Sequence, residues 1–336
     1  MRRFILVTAA ITLLGLGTLA QAITIETVAI GNARNSADTQ VMYDGTTGYG
    51  SVGYDYNIGK YEVTAGQYTA FLNAKANVSD AYGLYNDGMW SDTRGCQIQR
   101  SSISGGYSYN VASDYANRPV NFVSFWDSVR FANWLNNGQG NSSTETGAYT
   151  LNSYNGTDGR VIGRNAGATW TVTSEDEWYK AAYYKGGNTN AGYWLYPTKS
   201  NTAPGNNMAD PSGNNANYYT GIGSYPIDSG KYTTVVGEFQ NSASAYGTFD
   251  QGGNVFEWNE AIPYIGGGYA YRGLRGGSFN YYYFDGLRSA DRNYNYPAYE
   301  FSNIGFRVSQ VVPEPSSIIA LLGGLGSLLA FRRQRA

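Results

Sequence analysis

Three stretches of the chain combine a helix-start signal with apolar residues at helical spacing. In each stretch a Ser or Thr is followed three residues later by an acidic or amide side chain, an arrangement that caps a helix N-terminus reciprocally. The pairs are Thr64 with Gln67, Ser124 with Asp127, and Ser174 with Glu177. After the second pair, Phe131, Trp134 and Leu135 repeat the i, i+3, i+4 pattern. The pattern predicts three short amphipathic helices, each covering one side of a core.

Between these stretches, short apolar pieces are interrupted by Gly, Asn, Ser and Tyr at the density of turns and brief strands. The sequence shows no internal repeat, no coiled-coil heptads and no linker rich in Pro or Ser. We therefore predict an α+β fold, formed by a single irregular, loop-rich domain over residues 23–312.

The composition excludes several classes of function. The chain has 336 residues, a formal net charge of -2, 32 tyrosines and no histidine. Because there is no basic run or stripe, no nucleic-acid partner is expected. The absence of histidine removes the commonest general base and the commonest zinc, iron or copper ligand. Cys96 is the single cysteine, so no intramolecular disulfide can form, and a buried apolar role is favoured over a reactive nucleophile.

The beginning of the chain has the features of a secretory signal. An arginine pair, an apolar run and a small-residue site that ends at Ala22 occupy residues 2–22. The pattern predicts cleavage after Ala22 and export from the cytoplasm.

The last residues, 313–336, join the triplet Pro313, Glu314 and Pro315 to an apolar stretch and an arginine cluster. The apolar stretch is short for a membrane span, and a plain membrane anchor is one interpretation. The whole tail, however, resembles the PEP-CTERM sorting signal of Gram-negative bacteria. The resemblance implies an exosortase-type protease as partner, at least transient membrane attachment, and a final place on the envelope surface or in the extracellular matrix. Bacteria with this signal typically make extracellular polysaccharide.

Two acidic groups raise the question of chemistry. Glu175, Asp176 and Glu177 could be the carboxylates of a glycosidase, but in a first helical turn they more simply complement the helix dipole. Asp250, Asn254 and Glu257 lie among glycines and offer the mixed carboxylate and carbonyl oxygens that calcium prefers. A polar turn held by Asx hydrogen bonds would use the same residues.

The order of several motifs resembles the formylglycine-generating enzyme, or sulfatase-modifying factor, family. The motifs are YEVTAGQYTAFLN, RPVNFVSFWDSVRFANWLN, TVTSEDEWYKAAYY, YGTFDQGGNVFEWNE, RGGSFN, LRSADRN and NIGFRV. They extend over about residues 30–308, essentially the whole mature chain. The resemblance implies a single sulfatase-modifying-factor domain related to C-type lectin folds, with little regular secondary structure.

The same resemblance implies two structural calcium ions. The ligands of the first would be Asp250, the carbonyls of Gly253 and Val255, and Glu257. The ligands of the second would be Asn217, the carbonyl of Tyr218, Asp228 and the carbonyl of Gly230.

The catalytic residues of the family do not carry over. By resemblance, the enzymes oxidise a sulfatase cysteine with a pair of cysteines that hold copper, and here the matching positions are Phe284 and Ser289. Neither side chain can bind cuprous copper as a thiolate does. Relatives in ergothioneine biosynthesis bind iron through histidines, which this chain lacks. No copper or iron is therefore expected.

An aromatic and polar run at residues 281–296 matches the segment that lines the substrate-facing groove in the family. Tyrosine gives rigid, amphipathic contact area, which favours a ligand-binding face. Alternatively, roughly half of these tyrosines pack in the core, since side chains alternate on extended chain. The residues assigned to the face are Tyr281, Tyr282, Tyr283, Asp285, Arg288, Asp291, Arg292, Asn293 and Tyr294. The run also resembles the ligand-facing end of lectin-fold proteins diversified by retroelements.

Three functions agree with these observations. The first is a secreted or surface-attached, non-enzymatic binding or structural protein, with an extracellular polysaccharide or an envelope protein as partner. The second is an oxidoreductase or other enzyme of the formylglycine family with a different metal set. The third is a maturation factor that holds an extracellular substrate for another enzyme. The missing thiolates and histidines favour the first over the second, and the sequence does not separate the first from the third.

Overall fold

The computed structural model describes residues 22–221, 226–228, 230–281 and 284–312. The helices are α1 (Ala65–Lys75), α2 (Gly88–Ser91), α3 (Phe125–Asn136) and α4 (Glu175–Tyr183), with 3-10 turns at Gly159–Val161 and Phe284–Leu287. The predicted signal peptide before Ala22, the triplet Pro313, Glu314 and Pro315, and the pair Tyr282 and Tyr283 lie outside the described residues. Within the described ranges, no helix has the length and apolar character to cross a membrane.

The strands are short and distributed along the chain. They are β1 (Thr27–Ile30), β2 (Tyr56–Gly59), β3 (Ile98–Ile103), β4 (Gly106–Val111), β5 (Trp170–Val172), β6 (Phe256–Asn259), β7 (Ile265–Gly266), β8 (Tyr269–Ala270), β9 (Arg272–Arg275), β10 (Asn293–Asn295), β11 (Ile304–Phe306) and β12 (Val308–Val311). Most of the chain between them is turn and loop, as the density of Gly, Asn and Ser predicts.

One sheet brings together the two ends of the domain. Its strand order is β1-β2-β12-β5, with antiparallel pairing throughout. Ser309 of β12 lies between Ile58 of β2 and Thr171 of β5. The beginning and the end of residues 23–312 therefore belong to one structural unit.

A second sheet has the order β10-β9-β6-β11, in which β11 runs parallel to β6 and the other pairs are antiparallel. The pairs β3–β4 and β7–β8 form separate hairpins. Strand β10 lies at the edge of its sheet, with Tyr294 opposite Gly273. Short helices combined with small sheets confirm the predicted α+β class.

The three predicted helix starts are confirmed. In α1 the Thr64 side chain accepts the Gln67 backbone N–H, and the Gln67 side chain accepts the Thr64 N–H. The same reciprocal capping begins α3 and α4, at Ser124 and Ser174. These boundaries follow from local sequence because the cap and its partner are three residues apart.

Helix α3 is buried on all sides rather than on one, so the expected one-sided helix is wrong for this element. All residues from Phe125 to Leu135 are buried. Phe131 packs at 5.4 Å from Phe71 of α1 and at 5.3 Å from Phe306 of β11. The loop after α3 covers the opposite face, where Glu145 pairs with Arg130 of the helix at 2.7 Å.

The acidic first turn of α4 is paired with arginines from distant parts of the chain. Glu175 accepts hydrogen bonds from Arg275 at 2.9 Å and from Arg292 at 2.8 Å. Glu177 pairs with Arg164 at 2.6 Å. The pairing of Glu175 and Glu177 with arginines agrees with a structural role for these acids in the first turn of α4. Neither carboxylate is left free for glycoside hydrolysis.

Cys96 has the buried role expected for a single cysteine. Its side chain is buried, and burial raises the pKa of the thiol to about 11. Its backbone N–H donates to the side-chain oxygen of Asn121 at 2.9 Å. A neutral, enclosed thiol at physiological pH is a poor nucleophile.

Candidate ligand-binding surface

Exposed and half-buried aromatic rings form a continuous row across β10, the β7–β8 hairpin and the loop before β11. We call this surface the aromatic ribbon, and its members are Tyr264, Tyr269, Tyr271, Tyr294, Tyr296, Tyr299 and Phe301. Tyr264, Tyr269 and Tyr294 are 47%, 44% and 41% exposed. A contiguous apolar patch of this kind on a soluble domain usually marks a binding site.

One half of the ribbon runs from Tyr264 to Tyr296. The rings of Tyr264 and Tyr294 stack at 5.4 Å with 19° between their planes. Tyr271 meets Tyr294 edge-on at 5.2 Å and lies 4.3 Å from Tyr296, measured between ring centroids. At these separations aromatic pairs attract one another through their quadrupoles, so each ring helps to hold the next in place.

The other half continues from Tyr296 to Phe301. Tyr269 meets Tyr296 edge-on at 5.4 Å, and Tyr299 lies 5.0 Å from Tyr296. Phe301 follows at 5.7 Å from Tyr299. The two halves share Tyr296, so the rings form one unbroken surface.

The β7–β8 hairpin presents three of the ribbon tyrosines. Its turn is made by Gly267 and Gly268, with φ of 59° and 86°. Two central residues with positive φ give a hairpin turn that matches the twist of the strands, and glycine adopts this conformation without steric cost. The N–H of Tyr271 donates to the carbonyl of Tyr264 at 3.0 Å and closes the loop outside the turn.

Strand β10 supplies the centre of the ribbon. The partner of Tyr294 on β9 is Gly273, which places no side chain beside the tyrosine ring. The side-chain oxygens of Asn293 and Asn295 accept the backbone N–H groups of Tyr294 and Tyr296 at 2.8 and 2.9 Å. These local bonds support the extended backbone at the exposed edge.

The loop that carries Tyr299 and Phe301 is fixed to the start of α3. The N–H of Phe125 donates to the carbonyl of Pro297 at 2.9 Å, and the N–H of Phe122 donates to the carbonyl of Phe301 at 3.0 Å. Glu300 lies between Tyr299 and Phe301, and its carboxyl accepts a hydrogen bond from the side-chain amide of Asn86. The far end of the ribbon is therefore held by the core rather than by solvent-exposed contacts alone.

The ribbon carries neutral groups at physiological pH. A hydrogen bond with Tyr296 raises the pKa of the Tyr271 hydroxyl to about 12. Burial, and then the negative charge of Asp127, raises the pKa of Glu300 to about 8. Both groups therefore stay protonated near neutral pH.

The residues that the sequence assigns to a ligand face do not form one surface. Tyr294 lies in the ribbon, with Asn293 preceding it on β10. Asp285 and Arg288 form an exposed pair at 3.8 Å in and beside the Phe284–Leu287 turn, where Tyr43 donates to Asp285 at 3.4 Å. The structure thus separates the predicted face into at least two places.

The remaining described members are largely enclosed. Arg292 pairs with Glu175 at 2.8 Å, and Arg275 donates to the carbonyl of Asp291 at 2.5 Å. Burial raises the pKa of Asp291 to about 7. Tyr281 is partly buried and packs against the main core. These side chains stabilise the segment that follows β9.

The positions that match the family's cysteine pair differ in depth. Phe284 is 38% exposed, whereas Ser289 is 1% exposed. The carbonyl of Ser289 accepts from Arg275 at 2.9 Å, and its N–H donates to the carbonyl of Leu195 at 2.9 Å. A phenyl ring and a buried hydroxyl do not fit a copper ion.

At the first predicted calcium site, the two acidic residues differ in their surroundings. Both carboxylate oxygens of Glu257 are engaged, by Arg307 at 2.5 and 2.6 Å and by Trp178 at 2.7 Å. Asp250 accepts the N–H of Gly237 at 2.6 Å. Among the described residues, Glu62 is buried with neither carboxylate oxygen hydrogen-bonded. Burial, and next the charge of Asp250, holds the pKa of Glu62 well above its usual range.

Burial raises the pKa of both Glu62 and Asp250, and the Arg307 guanidinium, which pairs with Glu257, lies close enough to lower both. If calcium binds here, Asp250 and Glu62 are the side chains that would hold it. In the part of the chain that the structure describes, no three acidic, histidine or cysteine side chains form a metal-binding group. Any calcium ion at this place would also use backbone oxygens, which calcium accepts readily.

The second predicted calcium site is occupied in part by an arginine. Arg118 donates to the carboxylate of Asp228 at 2.5 Å. The side-chain amide of Asn217 donates to the carbonyl of Tyr232 at 2.9 Å. The carbonyl of Tyr218 accepts from the side-chain amide of Asn206 at 3.4 Å, and Gly230 adopts a φ of 76°. Arginine supplies the positive charge at Asp228, so this set fits calcium less well than the first.

Sequence reasoning missed most of the aromatic ribbon. It named Tyr294 but not the hairpin tyrosines Tyr264, Tyr269 and Tyr271. A signal was present, because the glycines of residues 266–268 are flanked closely by tyrosines, which is typical of a tight hairpin. The packing of the hairpin tyrosines against Tyr294 and Tyr296 is a long-range contact, and no local pattern predicts it.

Comparisons with known proteins agree with this fold. The model of the sulfatase-modifying factor enzyme 1-like domain matches residues 28–311. The solved structure of CarF is similar with a TM-score of 0.54 and 21% identity, covering 87% of this chain and 100% of that chain. Treponema denticola variable protein 1 is similar with a TM-score of 0.53 and 19% identity, covering 86% and 98%. No match was found among the curated proteins.

The family model matches far more than half of the chain, and both solved structures share its fold along most of their lengths. The small sheets, short capped helices and long loops described above are the architecture of this C-type lectin-like group. The chain belongs to the sulfatase-modifying factor (FGE-sulfatase) family.

Proposed function

We propose that this protein is an exported, non-enzymatic binding protein of the cell envelope or extracellular matrix that holds a polysaccharide on the aromatic ribbon. The observation that carries the proposal is the unbroken row of rings from Tyr264 to Phe301, in which five rings are exposed and Tyr271 and Tyr296 are half-buried between them. Such a surface is costly to leave in water and is best explained by a ligand that covers it.

The chemistry of the ribbon suits sugars. The C–H faces of a pyranose ring are apolar and pack on aromatic faces, while its hydroxyls bond to polar groups at the edges. Tyrosine offers both kinds of contact in one rigid side chain, at a low entropy cost. The stacked pair of Tyr264 and Tyr294 and the pair of Tyr299 and Phe301 at the other end give such contacts at both ends of the ribbon.

The absence of the family's catalytic ligands supports a binding role. Phe284 and Ser289 replace the cysteine pair, and the chain has no histidine. Without thiolate or imidazole, neither of the metal chemistries implied by the family resemblance has its ligands. The scaffold remains suitable for recognition, because function depends on the site and not on the fold.

The ends of the chain support the proposed location. The signal before Ala22 would direct export, and the tail that begins at Pro313 resembles a sorting signal for an exosortase-type protease. We include structural calcium at Asp250 and Glu62 in the proposal, on the strength of the unpartnered carboxylate of Glu62.

The test is binding of the purified full chain to the extracellular polysaccharide of the producing organism. Tyr294→Ala and Tyr299→Ala remove exposed ring contacts on the ribbon, whereas Tyr43→Ala removes an exposed tyrosine elsewhere. We expect saturable binding that both ribbon variants weaken and Tyr43→Ala does not. No binding by the intact chain would reject the polysaccharide and direct attention to an envelope protein or a maturation substrate.

A further inference from the structure

The segments that build the aromatic ribbon are free of charge. Residues 261–271, which contain the β7–β8 hairpin, have no Asp, Glu, Lys or Arg, and neither do residues 293–299. The charged side chain next along the chain is Glu300. Its carboxyl accepts from Asn86, beneath the loop.

The arginines next to the ribbon are already neutralised or turned inward. Arg160 reaches the carbonyl of Gly268 at 3.5 Å, but it pairs with its neighbour Asp158 at 2.7 Å. Arg272 follows Tyr271 directly and is buried, and its guanidinium donates to the carbonyl of Ile162 at 2.8 Å. Neither guanidinium is therefore an unpaired cation facing the rings.

This charge distribution selects among polymers that could stack on aromatic rings. Single-stranded nucleic acid stacks well on tyrosine, but its binding also needs a basic groove for the phosphates. A polysaccharide of uronic acids has the same requirement for cations along its chain. Within the described ranges, residues 261–271 and 293–299 carry no Lys or Arg, and the neighbouring Arg160 and Arg272 are paired or turned inward. These segments therefore offer neither polymer a charge partner, and binding would cost the desolvation of the charges without compensation.

The shape of the ribbon selects the length of the ligand. The rings form an open row rather than a closed pocket, and successive centroids are 4.3 to 5.7 Å apart. A single sugar can cover only one or two rings, whereas a chain can cover several at once. Linked contacts on one chain act together, because the later contacts no longer cost the loss of free translation.

We infer that the aromatic ribbon binds an internal stretch of a neutral polysaccharide, several sugar units long, and discriminates against acidic polymers. This inference rests on the proposed function and narrows the class of its ligand. The rings attract a sugar chain, and the absence of Lys and Arg from the described ribbon segments disfavours an anionic one. Both features contribute to the specificity.

The experiment compares neutral and acidic polymers on the purified full chain. The neutral probes are a soluble β-glucan and a galactomannan, and the acidic probes are alginate and polygalacturonate, each at low and high salt. We expect the neutral polymers to bind at least roughly tenfold more tightly than the acidic ones, with little effect of salt. A gluco-oligosaccharide series should bind more tightly with each added unit until the ribbon is covered.

The variants test whether the ribbon is the binding site, and the comparison of polymers separates this inference from the proposed function. Tyr294→Ala and Tyr299→Ala should each weaken binding of the neutral polymer, and Tyr43→Ala should leave it unchanged. Tighter binding of alginate that salt abolishes would overturn the neutral ligand while a polysaccharide-binding function stands. Equal affinity of a disaccharide and a long chain would overturn the extended site. Failure of both neutral polymers to bind would overturn the neutral ligand, and the proposed function would be overturned with it only if the organism's own polysaccharide does not bind either.

Discussion

The guanidinium of Arg307 and the carboxylate of Glu257 form an ion pair in which both side chains are fully buried. Arg307 also donates to the carbonyls of Gly59 and Phe249, each at 2.9 Å. Because Gly59 ends β2 and Glu257 belongs to β6, one arginine connects both sheets. Trp178 of α4 donates to the same carboxylate at 2.7 Å.

Removing that arginine should be strongly destabilising. Arg307→Met leaves the Glu257 carboxylate buried without its cation, and we expect a loss of about 3–5 kcal/mol in the free energy of unfolding. The matched control is Arg160→Met, which removes an exposed arginine from its pair with the half-buried Asp158, with an expected loss of at most about 1 kcal/mol. Urea unfolding measures both. Equal losses would contradict the special role assigned to the buried pair.

Calcium should stabilise the chain through Asp250 and Glu62. Because an ion that binds only the folded state adds about 2.7 kcal/mol at a concentration one hundred times its Kd, calcium should raise the melting temperature while magnesium does so much less. Asp250→Asn and Glu62→Gln should reduce the calcium response, and Asp158→Asn should not. If calcium does not change the melting temperature, or if the variants respond to calcium as the parent does, the proposed calcium site is wrong.

Stability should fall as the pH rises toward mildly alkaline values, because of Glu300. Its pKa in the folded chain is about 8, raised by burial and by Asp127, whereas an unfolded glutamate titrates at about 4.3. The folded state therefore holds the proton more tightly, and this stabilisation is complete below the unfolded pKa and is lost as pH rises through the folded pKa.

The check is urea unfolding of the parent chain and Glu300→Gln between about pH 5 and about pH 9. Glu300→Gln removes the titrating group, so its stability should decline less over this interval. Glu26→Gln, at an exposed position paired with Lys60, should follow the parent. A variant and parent with parallel pH profiles would exclude Glu300 as the cause.

The predicted cleavage after Ala22 can be tested at Gln139. The backbone N–H of Ile23 donates to the side-chain oxygen of Gln139 at 2.7 Å, and the amide of Gln139 donates back to the Ile23 carbonyl at 2.9 Å. Cleavage would convert that nitrogen into an ammonium group with a pKa of roughly 7.7–8.0. Gln139→Glu removes the amide that donates to the Ile23 carbonyl but gives the ammonium group a carboxylate partner. Its effect on the free energy of unfolding should therefore be more favourable, by about 1–2 kcal/mol, in a chain that begins at Ile23 than in a longer one.

The matched form keeps residues 20–22 ahead of Ile23, so the same nitrogen stays an uncharged amide. There Gln139→Glu should be neutral or destabilising. N-terminal sequencing of the exported protein should begin at Ile23. A different mature N-terminus, or the same effect of the substitution in both forms, would contradict this processing site.

Local sequence predicts where the helices begin, but it does not predict which distant residues contact them. Ser174 and Glu177 cap α4 across three residues, so the pattern predicts them. The arginine partner of Glu175 in β9 lies 100 residues further along the chain, and no periodicity carries that information. The acids were assigned a structural role correctly, but for only part of the physical reason.

The same limit explains the predicted ligand face. Adjacent tyrosines in residues 281–296 predict a ligand face, but neighbours in sequence do not have to be exposed on the same surface. Pairing of β10 with β9 places Tyr294 opposite Gly273, and this register brings the ring against Tyr271 and Tyr264. The ribbon depends on that register, so it could be described only once the fold was known.

The proposed polysaccharide covers the aromatic ribbon, and tyrosine footprinting measures this directly. The full chain is nitrated with and without its organism's extracellular polysaccharide, and modification is quantified at each tyrosine by mass spectrometry. We predict that the polymer protects Tyr264, Tyr269, Tyr294 and Tyr299, while Tyr43, which is 57% exposed and outside the ribbon, reacts equally in both. Protection of Tyr43 with unchanged reactivity of the ribbon tyrosines would contradict the central claim.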